Sequence, residues 1–145
     1  MGMKKKLLNL LMGTLLSAVM IIPTTAVAAT QTHNWAFEMY QLVVNGEVNG
    51  QLYSMNQGTF KWEGIISVIS KDGGAAATAN QTKMTLYRQV DWGIDIRADQ
   101  FSLTSPSTFN RTIGACPTGV YYITAEKALD DGWNIKGSGT LTSTY

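Results

Sequence analysis

The chain has one cysteine, one histidine and three prolines in 145 residues, and only 14% of its positions are charged. A single cysteine excludes an internal disulfide and a thiolate metal cluster, so stability has to come from an ordinary apolar core. Low charge beside 45% apolar residues excludes a disordered chain. No Gly-x-Ser-x-Gly elbow, His-Glu-x-x-His helix or Cys-x-x-Cys pair is present, which removes the chemistries those motifs carry. His33 stands a few residues from the expected mature amino terminus, where chains fray, and reads as a solvated tail residue. The chain is expected to be non-enzymatic and to need no cofactor or metal.

What is present begins with an export signal. Lys4, Lys5 and Lys6 precede an almost unbroken apolar run, Leu7 to Ile22, which Pro23 ends. Ala26-Val27-Ala28 then places small residues at both selective positions of a cleavage site. Residues 1–28 read as a helical signal peptide cut after Ala28, or one residue later at Ala29, and residues 29–145 as one secreted domain. The competing reading is an uncleaved anchor, because the run approaches the roughly 20 residues needed to span a bilayer; Asn9, Thr14 and Ser17 dilute it. The expected location is extracellular, with association to the cell wall as one form of it.

Cleavage reverses the sign of the charge. Three lysines leave with the leader and no acid does, so eight cations face ten anions in the mature chain. Binding to nucleic acid or to an anionic membrane by bulk charge is therefore disfavoured, since such affinity comes from many Lys and Arg neutralising phosphates. No membrane association is expected after cleavage.

Periodicity along the mature chain points to strands. From Trp133 to Tyr145 the odd positions carry Trp133, Ile135, Leu141 and Tyr145 against a polar set that includes Asn134, Lys136, Thr140 and Thr142. From Met84 to Ala98 the even positions carry Met84, Leu86, Val90, Trp92, Ile94 and Ile96. Fifteen strand residues in a row would be unusually long, so two strands meeting near Asp91-Trp92-Gly93, or one bulged there, are expected. Trp35–Val44, Gln51–Met55, Thr59–Ser70 and Val120–Ala125 are also rich in aromatic and β-branched residues, bounded by Asn45-Gly46, Asn49-Gly50, Asp72-Gly73-Gly74 and Asp130-Asp131-Gly132. Helix is expected to be scarce. Seven or eight short strands predict one all-β domain, an antiparallel β-sandwich or, alternatively, a small barrel. Ala75-Ala76-Ala77, Gly137 and Gly139 would let two layers approach closely.

Ile65-Ile66-Ser67, the small-residue run Gly73 to Ala77, Thr85-Leu86-Tyr87-Arg88, Thr118-Gly119-Val120-Tyr121-Tyr122 and the final alternating strand together resemble small secreted immunoglobulin-like sandwich proteins of Gram-positive bacteria. The resemblance covers roughly residues 65 to 145 and implies export and an immunoglobulin-like fold. The paired cysteines of true immunoglobulin domains are absent. Those proteins mostly lack an assigned activity, so the resemblance implies none.

Chemistry must then come from carboxylates or rings. Asp91 and Asp95 are a candidate hydrolase pair, but on an extended strand they stand about 13 Å apart, beyond either glycosidase geometry unless Gly93 folds the chain. Asp91, Asp95 and Asp99 are spaced by four without a calcium-loop pattern. Asp130 and Asp131 read as hairpin residues. Cys116, beside Pro117, reads as a small semi-buried residue, with a reactive thiol or an intermolecular bridge as the sharper alternative. Every one of the four Trp, six Tyr and four Phe lies in the mature chain. Parity assigns Trp92 and Trp133 to the core, leaving Trp62, Tyr53 and the pair Tyr121-Tyr122 as candidate binding residues, one of the pair facing solvent. The expected function is a non-catalytic binding module for a protein, glycan or cell-wall component. The alternatives are a bacteriocin-like effector and a small carboxylate-dependent hydrolase.

Overall fold

The structure is a computed structural model that describes residues 26–145; the signal-peptide expectation, its helix included, lies almost wholly outside the described residues. Nine strands follow in order: β1 (Thr30–Met39), β2 (Val43–Asn45), β3 (Tyr53–Met55), β4 (Gly58–Lys71), β5 (Gln81–Arg88), β6 (Ile96–Thr104), β7 (Ser107–Cys116), β8 (Gly119–Lys127) and β9 (Trp133–Thr144). Sheet A has the order β1-β9-β4-β7 and sheet B the order β2-β8-β5-β6, with β3 also paired to β8. Every pairing is antiparallel. The chain is therefore an all-β protein of two antiparallel sheets, consistent with a β-sandwich. The count exceeds the seven or eight expected because Trp35–Val44 divides into β1 and the three-residue β2 and because β7 is added. β7 carries the period-two set Phe109, Arg111, Ile113 against Thr108, Asn110, Thr112, a strand the sequence reading did not place.

The inner face of sheet A is organised by one row that crosses all four strands. Register places Trp35 beside Gly139, Gly139 beside Gly64, and Gly64 beside Phe109. The two central positions lack side chains, so the Trp35 ring lies across them and stacks on Phe109 at 5.9 Å and 24°. A methyl group at Gly139 would lie 2.8 Å from that ring, and one at Gly64 would overlap it. Gly137 leaves similar room for Phe37 and Ile66. Phe109 meets Trp62 edge-on at 5.5 Å and Phe101 of the opposite sheet at 4.8 Å, which carries the aromatic packing from layer to layer. Ala75 to Ala77 instead sit in the β4–β5 connection, where Ala75 packs on Gly132 and Ala76 donates its amide to Asp131.

One end of the sandwich is fixed by a buried ion pair. Lys127 Nζ donates to Asp131 Oδ1 at 2.8 Å, and the two side chains are 2% and 1% exposed. Lys127 also donates to the Trp133 carbonyl, while the amides of Asn80 and Trp133 donate to the Asp131 carboxylate. Both aspartates act as the local turn residues expected of them, Asp130 accepting the Gly132 amide and Asp131 the Trp133 amide, and Asp131 holds the ion pair as well. Trp133 stands at the rim, under Lys71 and donating Nε1 to Ala76 O, and not in the core as parity assigned it. Burial alone would raise the Asp131 carboxyl, but the Lys127 hydrogen bond and the two amides outweigh it and hold the group below its ordinary 3.8.

Two predictions follow from this packing. Gly64→Ala is expected to cost about 1–3 kcal/mol through overpacking against Trp35, whereas Gly73→Ala, which meets nothing, stays near neutral; urea unfolding compares them. Because the folded Asp131 value lies below the unfolded one, its stabilisation is complete above 3.8 and is lost as pH falls below that toward the folded value. Asp131→Asn should remove that acid dependence and, by stranding Lys127, cost about 3–5 kcal/mol at neutral pH.

Candidate functional site

Among the described residues, the largest apolar side chains left in water sit on the β5–β6 connection. Trp92 is 94% exposed and Ile94 93% exposed, with Ile96 half-exposed behind them. Alternation assigned Trp92 to the core, but the strands end at Arg88 and resume at Ile96, so the hairpin turn breaks the parity on which that assignment rested. Gly93 supplies the positive φ, +110°, that turns the chain between the two residues.

The base of this loop is fastened at several points. The Gln89 amide donates to Val120 O at 2.8 Å, prolonging the β5–β8 ladder, and Gln89 Nε2 donates to Glu47 Oε1 at 3.0 Å. Asp95 closes the loop on itself: Oδ1 accepts the Val90 amide at 2.9 Å, and Oδ2 accepts the Tyr122 hydroxyl at 2.7 Å. The Tyr122 ring in turn stacks on Tyr87 at 5.4 Å and 22°. Burial first, and then the Asp95 carboxylate it donates to, push the Tyr122 phenol far above its ordinary value, so it is a permanent donor at neutral pH. Trp92 and Ile94 are thus presented on a braced hairpin. The loop carries Asp91 and Asp95 and no cation.

The four aromatic residues expected to bind are placed elsewhere. Trp62 is 0% exposed, wedged among Trp35, Phe101 and Phe109. Tyr121, also 0% exposed, meets Phe60 edge-on, donates to Pro117 O at 2.6 Å, and is pushed up to about 12 by burial. Tyr53 is buried against His33. The pair Tyr121-Tyr122 does point to opposite faces, but neither faces solvent, because Tyr87 stacks on Tyr122 and Asp95 accepts its hydroxyl on the outer side. His33 is not a frayed tail residue: it lies within β1 with Nε2 3.0 Å from the Ser54 carbonyl. Cys116 is buried in the core, and burial, with Asp99 next, pushes its thiol up, which opposes thiolate chemistry. Ala28, the expected cleavage residue, is exposed together with its neighbours, and the β1–β9 ladder begins one residue later, with the Ala29 amide on Tyr145 O.

The carboxylates are held apart by separate partners. Asp99 receives a two-pronged bond from Arg111, Glu63 lies beside Lys61, Glu126 beside Lys83, and Asp131 binds Lys127. Asp95 is committed to the loop base through the Val90 amide and the Tyr122 hydroxyl. Among the described residues no three His, Cys, Asp or Glu side chains are grouped to hold a metal ion. A shallow depression on sheet A is lined by residues that include Glu63, Ile65, Thr108, Phe109, Asn110 and Thr140; the Phe109 ring is taken up by Trp35, Trp62 and Phe101.

Comparison of the chain with protein-family models, with curated proteins and with solved structures finds no match. The site therefore stands on its geometry. The residues that sequence reasoning missed, Trp92 and Ile94, flank the one glycine of an Asp-Trp-Gly-Ile-Asp segment, a turn signal that could have withdrawn both from the core face. Asp95→Ala is expected to destabilise the fold by about 2 kcal/mol through loss of two bonds to a charged acceptor, and to speed amide hydrogen exchange at Val90, with β9 amides unaffected below global unfolding.

Proposed function

We propose that the protein is an exported, non-catalytic binding module that engages a component of the cell surface through the β5–β6 hairpin tip. The observation that carries this reading is the exposure of Trp92 and Ile94 on a loop whose base is fixed by Asp95, Tyr122 and Gln89. Leaving two large apolar side chains in water gains nothing for folding, and bracing their loop lowers the entropy lost on binding. Tryptophan is also among the residues that most often dominate a contact surface. The commitment of Asp95, Asp99, Glu63, Glu126 and Asp131 to cations, amides or a hydroxyl within the domain speaks against the hydrolase alternative. Export by the leader, with release after Ala28, is part of the same reading; the exposure of residues 26–29 supports access for cleavage.

An immunoglobulin-like sandwich is supported by the Tyr121 hydroxyl bonded back to Pro117 O at the turn between β7 and β8, which matches the corner tyrosine of such folds. The pairing of β4 with β7 and of β5 with β8 fits as well. The last strand departs from that arrangement, pairing with β1 and β4 and not with the strand before it.

Trp92→Ala is expected to leave stability within about 0.5 kcal/mol of the parent, since the side chain is exposed. Retention of the exported chain on the producer's surface should fall at least tenfold, the effect of about 1.4 kcal/mol at a contact residue. Equal retention of Trp92→Ala and the parent in a sedimentation assay would remove the tip from the binding surface.

A further inference from the structure

The hairpin tip and the attachment point of the leader share one end of the sandwich. Thr30 of β1 pairs with Thr144, Thr144 with Thr59, and Gly58 with Cys116, so the start of β1 and the β7–β8 turn lie at the same end. Gly119, opening β8 there, pairs with Met55, and Arg88 with Tyr121, which directs the β5–β6 loop past that end. Val27 and Tyr145 are exposed on it too. The chain outside the described residues joins this end at Ala26 and includes the apolar run Leu7 to Ile22. Six residues, Pro23 to Ala28, separate that run from the ladder, and such a connection spans no more than about 20 Å.

We infer that, in the chain that still carries its leader, this end of the sandwich faces the lipid bilayer and Trp92 and Ile94 rest in its headgroup boundary. The inference rests on the tip being a contact surface and names lipid as what it meets while the leader is attached. Once the apolar run is in the membrane, the short connection confines the tip near the surface, so a contact too weak to hold a free domain becomes populated. A tryptophan with an adjacent aliphatic side chain suits the boundary, where one part of the ring is apolar and its N–H stays wet. The charge of the loop selects the lipid: Asp91 and Asp95 with no cation favour a zwitterionic surface over an anionic one. Asp95 is turned back to Val90 and Tyr122, so it bonds within the domain. Insertion of the tip into a second copy is disfavoured, because the groove beside β2 that Tyr40, Val43 and Val48 line also carries Glu38, Gln41, Asn45 and Asn49, and Glu38 has the same sign as Asp91.

The four tryptophans make the test direct. Trp35 and Trp62 are buried and Trp133 is half-buried under Lys71, so Trp92 reports the tip. The full chain, residues 1–145, is reconstituted in phosphatidylcholine vesicles with bromine-labelled acyl chains. The expected result is that acrylamide in the water no longer quenches Trp92, that bromine does, and that Trp92→Phe abolishes both differences. Trp92 remaining as accessible to acrylamide in vesicles as in the domain released from its leader overturns the inference, as does quenching by bromine that appears only with anionic lipid. Should Trp92 stay in water while Trp92→Ala still loses surface retention, lipid is wrong and the tip reading survives; loss of both effects removes both.

Discussion

The fold depends on a row in which two glycines give their space to one indole. Trp35 on β1 and Phe109 on β7 belong to the outermost strands of sheet A, yet their rings touch because Gly139 and Gly64 between them present no side chains. That contact ties the sheet together across its width on the inner side, and Phe109 passes it to Phe101 in sheet B. The arrangement has a polar cost: neither Trp35 Nε1 nor Trp62 Nε1 finds a hydrogen-bond acceptor, a penalty of about 1–3 kcal/mol for each buried donor. Edge-to-face packing of Trp62 on Phe101 and Phe109 offsets part of it, at about 0.5–1.5 kcal/mol per aromatic pair beyond simple burial. Rings that serve the core in this way are removed from the surface, which is why aromatic enrichment by itself misdirects a search for a binding face.

The two ends of the sandwich are built on different terms. At the β8–β9 end, Lys127, Asp131, Asn80 and Trp133 form a network in which the buried charges are paired, bonded and shielded. Breaking it strands a charge, so this end is specified by electrostatics that tolerate little change. At the opposite end, Asp95 and Tyr122 build a smaller polar network whose effect is to hold a loop outward. In the first network the polar groups are hidden to close a turn. In the second they brace a turn whose apolar residues stay outside.

Much of the architecture was legible because alternation is a local property of strands. β4, β8 and β9, and the break between β5 and β6, could be read from their own residues. What could not be read were facts that depend on distant partners. Tyr122 points outward by parity, but Asp95 from another segment accepts its hydroxyl and Tyr87 stacks on its ring. Asp131 has the sequence of a turn and the environment of a core ion pair, because Lys127 and the Asn80 amide reach it. His33 is near the chain's expected mature start, but Ser54 of β3 anchors it. Gly64, in the middle of a strand rich in large residues, carries no local sign that Trp35 will lie over it.

The candidate site was missed for an instructive reason. Alternation assumes one continuous strand, and the even positions from Met84 to Ile96 satisfy it almost without exception, so Trp92 and Ile94 inherit the inward face of Met84 and Leu86. A hairpin turn resets parity, and the residues inside it belong to neither face. Had Trp92 and Ile94 been needed for packing, the turn would have been placed elsewhere or the loop folded back; instead, Asp95 fastens its base and leaves the tip in water. Departures from local consistency of this kind tend to fall at functional positions, because folding alone does not maintain them. The same reasoning separates this pair from Val43 or Leu52, which are only partly exposed beside paired strands and are accounted for by the edge of sheet B. Trp92 and Ile94 lie between strands, and packing among the described residues makes no use of their surface.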